Sequence, residues 1–287
     1  MLTSLYIDGF RIYPESAIAQ PGRVGILSAT GFGSPQPRVE SYDRPRAHGA
    51  AVRTQFYGTR YIDLVGRIIA DTDSAAITTL DLLKAAFSLD DGDADKTLLF
   101  RRAGMSVDEY ASVRVASAFE WDMPLSRHQY IMWAVQLSAA DPRFYSNTLQ
   151  TSTSSGTLSG GGLEFPLVFP LVFEDTGTSG LSITNGGNFL TPPVLLAGGP
   201  VVNPVFRNAT RDKEISVDVT LGSSDVLRVD VSAREVKLNG TVRNDLVDVA
   251  NTEWWELAAG VNSLRLIGSG MTAGTTYMTC QWRDARI

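Results

Sequence analysis

The chain has 287 residues, 44% of them hydrophobic and 20% charged, with a formal net charge of −6. That balance excludes disorder, which needs low hydrophobicity with high net charge, and a basic nucleic-acid surface, which needs clustered Lys and Arg. One cysteine, Cys280, excludes an internal disulfide framework.

No run approaches the roughly 18 apolar residues that a membrane span needs, so no membrane insertion is expected. Met1-Leu2-Thr3-Ser4-Leu5 lacks a basic start and a long apolar run, so no secretory signal is expected. Basic residues are 21 Arg against 4 Lys. Arg is enriched in protein interfaces and Lys depleted, although a GC-rich genome gives the same bias.

Leu5-Tyr6-Ile7, Asp8-Gly9 and Phe10-Arg11-Ile12 predict a tight hairpin. Residues 31–50 are rich in Gly, Pro, Arg and Ser and predict a long exposed arm or loop. Alternation over 50–70 predicts strands, clearest at Tyr61 to Ile68. One helix is predicted from Asp73 to Leu89, capped by Asp73 or Ser74, with an apolar stripe of Ile77, Leu80, Leu83 and Phe87 and Lys84 at its margin. Three strands follow, at Thr97 to Arg102, Tyr110 to Trp121 and His128 to Ser138, and Asp141-Pro142 stops the sheet.

A Ser/Thr/Gly tract over 147–162, ending in Gly160-Gly161-Gly162, predicts a linker or crossover. It divides an amino-terminal domain over 1–146 from a second domain over 163–287. The second predicts short strands at Pro193 to Leu196, Glu214 to Leu221, Val226 to Val231, Glu235 to Leu238, Ser263 to Ile267 and Tyr277 to Trp282. Asn239-Gly240 is a further tight turn. Short strands between turn signals predict a sandwich or barrel.

Signals for chemistry are weak. His48 and His128 are the only histidines, and no Gly-x-Ser-x-Gly elbow accompanies them. The acidic run Asp90 to Asp95 fails the calcium-loop pattern, because Lys96 stands where glycine is needed when counting from Asp91. Gly31-Phe32-Gly33 lacks the third glycine and the helix of a dinucleotide fingerprint. Trp254-Trp255 reads as one core and one edge side chain. No catalytic, cofactor-binding or metal-ligating residue is assigned, no cofactor is expected, and the chain is read as not an enzyme.

One ordered pattern stands apart. It runs Ile183-Thr184-Asn185-Gly186-Gly187-Asn188, Thr191-Pro192-Pro193-Val194, Gly198-Gly199-Pro200 and Asn203-Pro204-Val205-Phe206-Arg207-Asn208. It closes with Trp254 to Arg265 and Gln281-Trp282-Arg283. With Ala139-Ala140-Asp141-Pro142-Arg143-Phe144-Tyr145 upstream, the chain resembles the distal tail proteins of long, non-contractile-tailed bacteriophages (siphophages), often described as phage tail or minor tail proteins.

The resemblance implies a mainly β fold with one main helix, in which an amino-terminal ring-forming belt domain is followed by a galectin-like β-sandwich. It implies a structural tail-tip protein, a homohexameric ring with a central channel for DNA. The ring would join the distal end of the tail tube to the receptor-binding apparatus. The implied partners are other copies of the chain, the tail tube protein, the tail hub protein and the tape measure protein. Neither sequence-specific nucleic-acid binding nor membrane insertion is implied. The implied place is the distal end of the virion tail, after synthesis in the host cytoplasm. A galectin-type sugar site needs a histidine beside a tryptophan, and residues 146–287 contain no histidine. The alternative is a tail-tip binding module whose outer sandwich contacts the host surface.

Overall fold

The computed structural model describes residues 2–14, 22–89, 94–123, 130–155 and 176–287. They form two compact units, Met1–Asn147 with Ile287, and Thr148–Arg286.

The first unit begins with β1 (Leu2–Ile7) and β2 (Phe10–Pro14), joined by Asp8 and Gly9 at φ 45° and 83°. Both turn residues lie in the left-handed region, as a two-residue hairpin turn requires. After β3 (Arg23–Ala29) the chain leaves the core as a ribbon. Its strands are β4 (Pro37–Arg38), β5 (Ser41–Asp43), β6 (Ala50–Val52) and β7 (Phe56–Tyr57). It returns in β8 (Arg60–Ile69), then α1 (Asp73–Ala86), β9 (Lys96–Arg102), β10 (Glu109–Val115), β11 (Glu120–Asp122), β12 (Tyr130–Ala139) and β13 (Phe144–Ser146).

Seven of these strands close a barrel in the order β12-β8-β3-β2-β1-β9-β10, because β10 pairs back onto β12 through Arg114–Ser138 and Val115–Leu137. Closure removes sheet edges. Alternating burial along β8 and β12 sends Ile62, Leu64, Ile131, Trp133, Val135 and Leu137 into the core. Trp133 lies directly opposite Gly66, where an added Cβ would fall 2.3 Å from the indole. Only glycine leaves room for that ring.

The helix sits where expected, but two details differ. Thr72 caps it, at φ −136° and ψ 154°, with its hydroxyl accepting from the Ala75 N–H at 3.2 Å. Thr72, Asp73 and Ser74 are all good cap residue types, and Thr72 is the one that holds the extended backbone of a cap. The buried stripe is Ala76, Leu80, Leu83 and Phe87, while Ile77 is 49% exposed. The buried face therefore begins one residue earlier than the expected stripe.

The strand expected over Tyr110 to Trp121 is two strands, β10 and β11. The Gln136 carbonyl accepts from both Ala116 N and Ser117 N, at 2.8 and 3.3 Å, and the Gln136 N–H donates to the Ser117 hydroxyl. This bulge interrupts the ladder and shifts the register against β12. His128 and the acidic residues 90–93 lie outside the described residues.

The second unit contains β14 (Gln150–Ser155), β15 (Thr176–Asn185), β16 (Val194–Gly198), β17 (Val201–Asn208), β18 (Lys213–Ser216) and β19 (Thr220–Leu221). It continues with β20 (Val226–Asp230), β21 (Glu235–Leu238), β22 (Thr241–Val242), β23 (Gly260–Ser269) and β24 (Tyr277–Trp282). One sheet has the order β14-β24-β16-β20-β21-β22, the other β15-β23-β17-β18 with β19 on β17. Leu195, Leu227, Met278 and Cys280 share a core with Phe206, Ile215, Leu264 and Leu266.

Residues 150–155, read as linker from composition, are instead strand β14. Six consecutive pairs with β24, from Gln150–Trp282 to Ser155–Tyr277, hold it. Serine and threonine satisfy an edge strand whose outer face stays wet. Residues 156–162 of that expected linker lie outside the described residues. Strands β15 and β17 carry no strand signal of their own in the sequence. The proline and asparagines of β17 read as turn residues, and Asn203 does sit at φ 49°, at a bulge between Val202 and Val205.

Candidate assembly surfaces

The arm expected over 31–50 is a β-ribbon. Pro37 pairs with Tyr57, and Ser41, Tyr42 and Asp43 pair with Val52, Ala51 and Ala50. Its tip turns through Arg46 at φ 59° and Gly49 at φ 85°, with Arg44 N donating to Gly49 O. His48 is exposed near this tip. Tyr42, Val52 and Phe56 are each more than half exposed. An isolated two-stranded ribbon is marginal in water, and these exposed apolar side chains make it a candidate contact surface.

The root of the arm is held differently. Arg60, 1% exposed, opens β8 and points inward. Its guanidinium donates to the carbonyls of Gly31, Gly33 and Pro142, the first and last at 2.7 Å. It also stacks 4.0 Å over Phe144. Phe32, between the two glycines, packs edge-on against Phe100 and parallel to Phe144, with centroids at 4.8 and 5.7 Å. Gly31-Phe32-Gly33 is therefore a carbonyl cradle for a buried cation. Burial, then nearby Arg102, lowers the Arg60 pKa to about 10, against an opposing pull from Asp141. Nothing local in the sequence marks Arg60 as buried.

Asp141 organises the other side of this anchor. Its Oδ1 accepts from the Arg143 N–H and Nε, at 3.1 and 2.9 Å, and its Oδ2 from the Tyr145 hydroxyl at 2.7 Å. The Asp141-to-Tyr145 motif is a self-contained turn that delivers Phe144 to Arg60.

In the second unit, buried asparagines tie the turns. Asn185 donates to Phe189 O and accepts from Gly187 N. Asn208 accepts from Thr210 N and Arg211 N. Asn262 donates to Ala258 O and Gly260 O and accepts from Ala258 N. Trp255 is buried and its Nε1 donates to Phe206 O at 3.1 Å, while Trp254 packs at the core margin. All of this is architecture. Among the described residues no group of three or more His, Cys, Asp or Glu is placed to hold a metal. Burial raises the Cys280 thiol pKa far above its ordinary value, so this cysteine is chemically quiet.

Residues 186–284, which contain most of these turns, match the family model described as siphovirus-type tail component, C-terminal domain. The match places a siphovirus-type tail-component signature within the second unit. The buried asparagines and Trp255 are the internal fastenings of that unit.

No curated protein matches the chain. Among solved structures, the chain is similar to the Dit protein of phage SPP1, described as a paradigm of the hub adsorption apparatus in phages infecting Gram-positive bacteria. The TM-score is 0.63 at 11% identity, covering 99% of both chains. At this identity the likeness is one of fold, and it extends over both units. The phage P2 baseplate in its activated conformation gives TM-scores of 0.45 with calcium and 0.46 with strontium. The identities are 8% and 9%, with 90% of each chain covered.

Proposed function

We propose that the protein is a structural hub of a siphophage tail tip, in which six copies form a ring at the distal end of the tail tube. The carrying observation is the tail-component match over residues 186–284, with the fold likeness over 99% of the chain in support. In this reading the first unit builds the ring and its central channel for DNA. The galectin-like second unit stands outside the ring. One face meets the tube protein and the other the tail hub protein, and the tape measure protein reaches the channel. The ring is head to tail, the same two patches repeating around the axis. The ribbon at 37–57 reaches the neighbouring copy and covers Tyr42, Val52 and Phe56 there. No catalytic role is proposed.

Mass photometry with negative-stain imaging of the purified chain tests this. The expected result is a hexamer with six-fold symmetry and an open channel. A chain that stays monomeric at micromolar concentration would retire the hub reading. If that monomer bound host cells, the host-contact alternative would take its place.

A further inference from the structure

The outward face of the barrel carries an arginine–tyrosine ladder that the preceding reading does not use. Tyr6 on β1 lies opposite Arg11 on β2. The Arg11 guanidinium sits 5.7 Å from the Tyr6 ring and 4.6 Å from the Tyr13 ring, and Arg23 on β3 covers Tyr13 at 4.5 Å. On β8, Arg67 stands 5.7 Å from the Tyr130 ring of β12. Strand pairing makes these one surface: Tyr13 opposes Gly25, and Gly25 opposes Arg67. Arg67 Nε is buried with no hydrogen-bond partner.

The same row ends in the opposite charge. Arg67 opposes Met132, and Met132 opposes Asp122 on β11. Glu120 lies two residues away on the same face. Among the described residues β11 is an edge strand whose three residues are all exposed, Lys84 lies 4.9 Å from the Trp121 ring, and neither Glu120 nor Asp122 makes an ion pair. Four strand steps separate Asp122 from Tyr13, on the order of 19 Å along the sheet.

We propose that the arginine–tyrosine ladder of one copy receives the acidic edge Glu120-Trp121-Asp122 of a second copy, as the repeating head-to-tail contact between first units. This rests on the ring reading and names its contact. Charge complementarity selects the occupant. Arginine and tyrosine are the side chains that dominate interface energetics. Stacking on tyrosine occupies the guanidinium face of Arg11 and leaves its in-plane N–H groups for carboxylates. A base would need those same faces for stacking, and a chain of net charge −6 repels polyanions at long range. A heterologous contact needs two different patches on one protomer, and this sheet carries both.

The test is a charge swap in the full chain, read by mass photometry over a concentration series. Thermal melts establish that each variant folds. R11E and E120R/D122R should each weaken assembly by about tenfold or more in protein concentration, and raised salt should weaken the parent in the same direction. R11E/E120R/D122R should assemble better than E120R/D122R, because the glutamate introduced by R11E then meets an arginine of the reversed edge. A monomeric parent overturns this proposal together with the ring reading. A parent that forms rings while R11E and E120R/D122R form them equally well overturns this proposal alone. So does a triple variant no better than E120R/D122R. Binding of a fluorescent single-stranded oligonucleotide that R11E abolishes would also overturn it, assigning the ladder to nucleic acid.

Discussion

Arg60 and Phe144 meet face to face, the guanidinium 4.0 Å above the ring, although 84 residues separate them in the chain. The contact ties the root of the arm to the turn that follows β12. The barrel and the arm therefore share one anchor.

Replacing Arg60 with Met leaves the carbonyls of Gly31, Gly33 and Pro142 without their donor. A buried charged group that bonds several partners is costly to remove, and about 3 kcal/mol of destabilisation is expected in urea denaturation of the first unit. Arg60→Lys should recover little, because an ammonium cannot present the planar fork or stack on Phe144. A neutral R60M would show that the cradle contributes nothing.

Replacing residues 39–54 with a short Gly-Ser turn should barely change the melting temperature, because nearly all of the removed side chains are exposed. Oligomeric mass by light scattering should fall to that of the monomer. Persistence of the hexamer would show that the arm does not join neighbours.

Asn262→Ala removes three hydrogen bonds at a buried site, from Nδ2 to Ala258 O and Gly260 O and from Ala258 N to Oδ1. The expected loss is about 2–3 kcal/mol, measured on the second transition if the two units unfold separately. Hydrogen exchange should speed first at Ala258.

Asp225 receives the Asn239 side-chain amide at 2.8 Å and the Gly222 N–H at 2.7 Å. The Asn239 bond, then that from Gly222, lowers its pKa below the usual 3.8. A carboxylate with a depressed folded-state pKa stabilises above its unfolded value, and that contribution fades as pH falls through the folded one. D225N should therefore melt below the parent at pH 7, and the gap should close below about pH 4. A gap that stays constant to pH 2 would contradict the assignment.

Local chemistry made much of the architecture legible. Asp8-Gly9 and Asn239-Gly240 adopt the positive φ angles that their residue types favour, so those turns follow from four residues alone. Strict alternation in β8 and β12 marks their buried faces, because side chains in a strand point to opposite sides in turn. The ordered Asn, Gly and Pro positions of 183–208 and the Trp254-to-Asn262 segment carry the tail-component resemblance, and the family match covers most of them. Where several local solutions are equally good, the sequence does not choose. Thr72, Asp73 and Ser74 can all cap a helix, and Ala76 and Ile77 can each begin a stripe.

What only the tertiary structure decided involves residues far apart in the chain. Barrel closure depends on Arg114 and Val115 finding Ser138 and Leu137, a pairing that no local pattern encodes. The polar tract 150–155 is a strand only because β24 supplies its ladder partners. Arg60 resembles any surface arginine until Gly31, Gly33 and Pro142 surround it. The face that bears Tyr6, Arg11, Tyr13 and Arg67 exists only because four strands bring those residues into one sheet. Turn and strand preferences are properties of a few neighbouring residues, whereas burial of a charge and assembly of a surface depend on which distant segments the fold brings together.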